Sequence, residues 1–149
     1  MTPDATDAEA QAFSAAVEDF TRASLRAKLR LHQGEPLTVP QYHLIELLLE
    51  GTGARPVGEL ATAAGVTPPT ATRMLDCLER DGLVTRARDA RDRRCVRVSL
   101  TPEGRRAAQR MRRLIAARRR QIFDALPADV KHDATRLFET LAATIEGLR

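Results

Sequence analysis

Apolar residues recur along this chain with two periods, and each period predicts its own kind of element. Val84, then Val96, Val98 and Leu100, stand at alternate positions. At that spacing one face of a strand pair packs on a core while the other, carrying Arg97 and Ser99, stays wet. Elsewhere the spacing is three and four. Ala71, Met74, Leu75 and Leu78 share one face of a helix with Thr67 as its N-cap, Pro68 in its first position and Gly82 as its terminator. The opposite face carries Pro69, Thr70, Arg73, Cys77 and Arg80, and is short, polar and cationic. Residues 56–65 form a shorter helical pattern that also ends in a glycine, and Val66 then makes a brief turn into the next helix, which is helix-turn-helix spacing.

Between the strands lies Asp89-Ala90-Arg91-Asp92-Arg93, a turn rich in Asp and Arg whose tip projects charge outward. From Arg86 to Arg97 there are six arginines against two aspartates. A solvated hairpin carries such charge with no partner. Beside a helix-turn-helix with a cationic outer face, the same hairpin reads as a wing that probes DNA.

Both ends of the chain are helical by the same criterion. Phe13, Val17, Phe20, Ser24, Ala27 and Leu31 form one apolar seam. Ala134, Leu137, Phe138, Leu141, Ile145 and Leu148 form another, after the start signal Leu126-Pro127-Ala128-Asp129. A lone helix cannot hide such a seam, so the terminal helices need each other or a partner chain. The connecting helix, from Pro102 to about Leu126, holds eight arginines between Arg105 and Arg120, expected to face solvent or to pair with Asp4, Asp7, Glu9, Glu18 and Asp19. Arg118 lies within the stripe made by Ala107, Met111, Leu114, Ile122 and Ala125, where a charge requires a partner. That partner is either an acidic residue of the first helix, in the same or a second chain, or an anionic effector.

Leu37-Thr38 opens a helix, Glu59-Leu60-Ala61 lies in the next, and Thr72-Arg73-Met74-Leu75-Asp76-Cys77-Leu78 follows. Then come Gly82-Leu83-Val84, Asp92-Arg93-Arg94 and Leu100-Thr101-Pro102-Glu103-Gly104. In this order and spacing, from about residue 37 to 104, the chain resembles the MarR (multiple antibiotic resistance regulator) family of bacterial winged helix-turn-helix regulators. Pro56 departs from the pattern, since relatives often have a capping Thr or Ser there. The resemblance implies a mainly α fold with a small β-hairpin wing. Residues 37–103 would form the winged helix-turn-helix, and residues 8–33 and 104–149 the helical dimerisation region.

It also implies a homodimer joined through Phe13, Val17, Phe20, Leu137, Leu141, Ile145 and Leu148. A two-fold protein reads two inverted half-sites, so the operator in double-stranded DNA is expected to be palindromic. Thr70 and Arg73 are the expected readers of base edges, Arg73 donating two hydrogen bonds to guanine, with Pro69 offering an apolar contact. Thr67 and Thr72 would hold phosphates. By resemblance Arg94 enters the adjacent minor groove, Asp92 steadies a neighbouring arginine such as Arg86, and Arg91 and Arg93 add phosphate contacts. The family often binds phenolic or carboxylate compounds between its dimer helices and DNA-binding lobes, which makes Arg118 a candidate effector contact.

Composition narrows the alternatives. A chain of 149 residues with 43% hydrophobic content supports one domain with a core, and leaves no room for a second, catalytic one. The net charge of +4 favours a polyanionic partner, although Lys28 and Lys131 are the only lysines and so arginine-rich a chain also fits a GC-rich genome. No run is long enough to span a membrane and the first residues do not form a secretion signal, so a cytoplasmic protein is expected. Cys77 and Cys95 lack metal-ligand spacing, as do His32, His43 and His132, so no metal is expected. The oxidant-sensing relatives carry a reactive cysteine near the first helix, and residues 1–40 here have none. No nucleophile elbow, phosphate-binding glycine loop or His-Glu-x-x-His motif is present, so neither cofactor nor enzyme activity is expected. The expected function is a homodimeric repressor released by a small effector. The alternatives are a ligand-independent regulator and a helical protein-interaction module with a degenerate winged domain.

Overall fold

The computed structural model describes residues 5–148 with the exception of 52, 91 and 93. Its elements are α1 (Ala5–Leu31), α2 (Val39–Ile45) with a 3-10 turn at Glu46–Leu49, β1 (Arg55–Pro56), α3 (Val57–Ala63), α4 (Pro68–Arg80), β2 (Val84–Arg88), β3 (Val96–Leu100), α5 (Pro102–Ala125) and α6 (Ala128–Gly147). The chain divides into two compact units, Met1–Arg112 and Arg113–Arg149.

In the first unit each short helix is bounded by a specific device. α2 opens with a reciprocal cap: the Gln41 N–H donates to Thr38 Oγ1 at 3.2 Å and the Thr38 N–H donates to Gln41 Oε1 at 2.9 Å. α3 starts from Pro56, whose φ of −61° and ψ of 144° supply the extended entry without a side-chain cap. α3 and α4 end alike. The Gly65 N–H reaches Thr62 O at 3.1 Å and the Val66 N–H reaches Ala61 O at 3.0 Å; after α4, Gly82 bonds Glu79 O at 3.0 Å and Leu83 bonds Leu78 O at 2.9 Å. This paired closure satisfies the last carbonyls and needs a left-handed residue, which Gly82 supplies at φ 71°.

The start of α4 differs from expectation in one respect. Thr67 occupies the N-cap position, but its hydroxyl caps no backbone N–H. Pro68 and Pro69 follow it and have no N–H to be capped, so two of the donors a helix usually leaves open do not exist here.

The wing is a three-stranded antiparallel sheet in the order β1-β3-β2, so the expected hairpin has an extra edge strand of two residues. Val84 and Val98 are buried and Leu100 is half-buried, as alternation predicts, while Val96, nearest the tip, is exposed and lies beyond the core. Arg97 is half-buried rather than wet, because it donates to Ala54 O at 3.0 Å and pairs with Asp89. Thr101 joins the sheet to α5. Its hydroxyl donates to Gly82 O at 2.7 Å and accepts the Gly104 N–H at 2.9 Å, and its own N–H donates to Leu83 O at 3.1 Å. A Cβ on Gly104 would lie 1.8 Å from Leu83 O, so the backbones meet where no side chain fits. Leu44, Ile45, Leu60, Leu75, Leu78 and Met111 complete the core of this unit.

In the second unit no residue of α6 is buried. Lys131 donates to Asp124 O at 2.9 Å, with its ammonium 5.7 Å from the centre of the Phe123 ring. Arg110 pairs with Glu35 at 2.6 Å, Arg120 with Asp124 at 2.9 Å and Arg106 with Glu103, while Glu18 and Asp19 are held by Arg22 within α1. Apart from Arg110–Glu35, these pairs join neighbours three or four residues apart on one helix, which reach each other easily. Arg118 is exposed and donates to Gln121 Oε1 at 3.3 Å. Met111 is buried and Leu114 half-buried, whereas Ile122 is 52% exposed.

Candidate nucleic-acid interface

α4 lies on the first unit with Ala71, Leu75 and Leu78 buried, which leaves Pro69, Thr72, Arg73 and Arg80 on its exposed side and Thr70 half-buried. Thr67 Oγ1 and Thr70 Oγ1 are 2.9 Å apart. One of the two donates, so one hydroxyl proton remains for an outside acceptor. Thr72 donates to Pro68 O at 3.0 Å and must exchange that bond to donate to a phosphate. Arg73 is exposed and forms no ion pair among the described residues, so its five N–H donors can turn outward.

The wing sorts its arginines into two groups. Arg88 and Arg94 are exposed and have no ion pair among the described residues. Arg91 and Arg93 lie outside the described residues. Asp92 is exposed, and its Oδ1 accepts the Arg94 N–H at 3.0 Å, while backbone bonds from Asp89 to Cys95 O and from Cys95 to Asp92 O, both 2.9 Å, close the turn. Asp92 therefore steadies the backbone of Arg94.

Arg86 corrects the expectation that Asp92 would hold it. Its Nε donates to Glu79 Oε2 at 2.9 Å, and its Nη2 donates to Glu79 Oε2 and Asp76 Oδ1, both at 2.6 Å. Its backbone N–H donates to Glu79 Oε1 at 3.2 Å. These bonds hold the Glu79 carboxyl below the usual carboxylate range and push Arg86 further above its already high value. Asp76 and Glu79 were missed in the sequence. The available signal was phase: Arg86 stands two residues after the buried Val84, on the same face, where a cation needs a carboxylate.

Most residues of the expected seams have large exposed fractions. Phe13, Val17 and Phe20 in α1, and Leu137, Ile145 and Leu148 towards the C-terminus, are all exposed, Leu148 by 80%, and Leu141 is half-buried. Among the described residues no group of His, Cys, Asp or Glu could hold a metal ion, and no helix is long and apolar enough to cross a membrane. Cys77 and Cys95 are half-buried thiols.

The sequence profile of the MarR family matches residues 37–96, the stretch from the capped start of α2 to the first residue of β3. The homoprotocatechuate degradative operon repressor of Escherichia coli is 33% identical over 107 residues, which span 72% of either chain. The chain belongs to the MarR family. Among solved MarR-like structures, the transcriptional repressor CouR bound to a 23-mer DNA duplex is 32% identical, with a TM-score of 0.70 over 85% of this chain and 89% of that one. The PcaV transcriptional regulator from Streptomyces coelicolor is 25% identical, with a TM-score of 0.72 over 88% of this chain and 98% of that one. This MarR protein is thus a DNA-binding transcriptional regulator of winged helix-turn-helix fold.

Proposed function

We propose that this chain is a homodimeric repressor that binds a palindromic operator and leaves it when a small phenolic or carboxylate effector binds. The observation that carries this reading is the outer face of α4, where Arg73 stands exposed without an ion pair among the described residues, on a helix anchored by Ala71, Leu75 and Leu78. Arg73 and Thr70 read base edges in the major groove, Pro69 supplies an apolar contact, and Thr67 and Thr72 hold phosphates. Arg94, with its backbone fixed by Asp92, enters the minor groove, where shape attracts cations; Arg91 and Arg93 add phosphate contacts.

A second copy covers the exposed seams, so that residues 8–33 and 104–149 form the dimerisation region and residues 37–103 the DNA-binding region. The relative from Escherichia coli is a repressor of a degradative operon for a phenolic acid, which supports an effector of that class. Such a ligand releases DNA by fixing the two lobes at a spacing that no longer matches the half-sites. Arg118, exposed and bonded only to a neutral amide among the described residues, is the candidate contact for its carboxylate. The protein acts in the cytoplasm and catalyses no reaction.

Footprinting on the intergenic DNA upstream of its own gene tests this. The expected result is one protected palindrome that is released on addition of aromatic acids. No sequence-specific protection would reject the function, and protection insensitive to aromatic acids would reject the effector.

A further inference from the structure

Arg86 stands third in β2, opposite Val98 of β3, and its side chain is only 23% exposed. β2 is the outer strand of the sheet, where a backbone N–H that points away from β3 has no strand to bond. Glu79 takes that N–H at 3.2 Å and the guanidinium as well, and Asp76, one turn earlier on α4, takes a further guanidinium bond at 2.6 Å. The side chain, the strand edge and the C-terminal half of the recognition helix are thereby tied at one point. Two carboxylates more than neutralise the one cation, so a phosphate approaching Arg86 meets net negative charge. Arg88, two residues on and on the same face, is exposed and has no ion pair among the described residues.

We propose that Arg86 is a positioning residue: through Glu79 and Asp76 it locks the wing to the recognition helix, so that Arg73 and Arg94 meet adjacent grooves together, and it does not itself contact DNA. This role rests on the DNA-binding function above. It assigns to two acidic residues a favourable part in binding a polyanion, and that reverses the usual sign. An acidic side chain beside DNA ordinarily weakens binding, and its removal strengthens it.

The test is a salt titration of binding by the full-length chain to the palindromic duplex, at temperatures where circular dichroism shows each variant fully folded. Arg86→Gln and Glu79→Gln should each weaken binding about tenfold, the size of coupling expected between contacting residues. The double variant should bind no more weakly than the weaker single one. The slope of log affinity against log salt should stay at the wild-type value for all three, whereas Arg94→Gln, removing a cation placed against the DNA, should lower it by about one.

A slope lowered by about one for Arg86→Gln, together with tighter binding by Glu79→Gln, would make Arg86 a phosphate contact and overturn the proposal. Wild-type affinity in both folded variants would overturn it too, because the tie would then serve stability alone. Should Arg86→Gln not fold, Glu79→Gln leaves Asp76 to hold the arginine and carries the same test: weaker binding supports positioning, equal or tighter binding refutes it. Failure of the wild-type chain to bind the duplex would instead reject the DNA-binding function itself.

Discussion

The winged lobe buries its apolar residues within one chain: Leu44, Leu60, Leu75 and Val98 are all at 0% exposure, whereas Phe20, Leu137 and Ile145 of α1 and α6 are each more than half exposed. Both regions are amphipathic by sequence, and the difference lies in what each has to pack against. In the lobe, three short helices and a sheet enclose one another, held by closely spaced devices such as the Thr38–Gln41 cap and the Thr101 hydroxyl. Each terminal helix instead carries a long apolar stripe whose large residues are mostly exposed. A stable lobe and an uncovered seam in one molecule are what a regulator needs if its reading heads are rigid and their separation is set by a second copy.

Substitution in the seam should break this contrast most sharply. Ile145→Asp places an unpaired charge where the partner copy should lie, which costs several kcal/mol at an apolar interface. Specific operator binding should fall by at least about a thousandfold, towards the non-specific level, because a single lobe engages only one half-site. Sedimentation and operator titration on the same variant check both effects, and a folded lobe should remain by circular dichroism.

The opposite outcome is expected in the lobe. Gly104→Ala drives a Cβ to 1.8 Å from the Leu83 carbonyl, backbone against backbone, so neither atom can move aside cheaply. Thermal denaturation should show a loss of about 3 kcal/mol, the upper end for overpacking. Lesser damage would mean that β2 and α5 are less tightly joined than their contacts indicate.

Arg73→Ala should cost about 1–3 kcal/mol per half-site and relax base preference at one symmetric position, measured by binding to a panel of single-base operator variants. Arg94→Ala should weaken binding with a smaller change in preference, since the minor groove carries a poorer code. Smallest in the series, Gly82→Ala forces a residue with a Cβ to φ 71° and should cost about 1 kcal/mol of stability in the same thermal assay, with base preference unchanged.

Periodicity made the helices and the main strands legible, because each runs long enough to repeat. Gly82 declared the end of α4, and the Leu-Thr-x-x-Gly segment declared the start of α5, because each position demands a special residue. Three things were hidden. β1 is two residues long, too short for any period, and Arg97 reaches Ala54 O from 43 positions along the chain. The partners of Arg86 were hidden for another reason. Asp76 and Glu79 look like ordinary solvated helix charges, and only the packing of β2 on α4 turns them toward the wing.

The measurement that bears most directly on this division of labour leaves the protein untouched. The wild-type chain is titrated with its palindromic duplex and with the same duplex carrying about five extra base pairs, half a helical turn, between the half-sites. If the seams fix two rigid lobes on one face of DNA, the insertion should abolish specific binding while leaving weak, salt-sensitive binding behind. Equal affinity for both duplexes would show that the lobes bind independently, and would contradict the account.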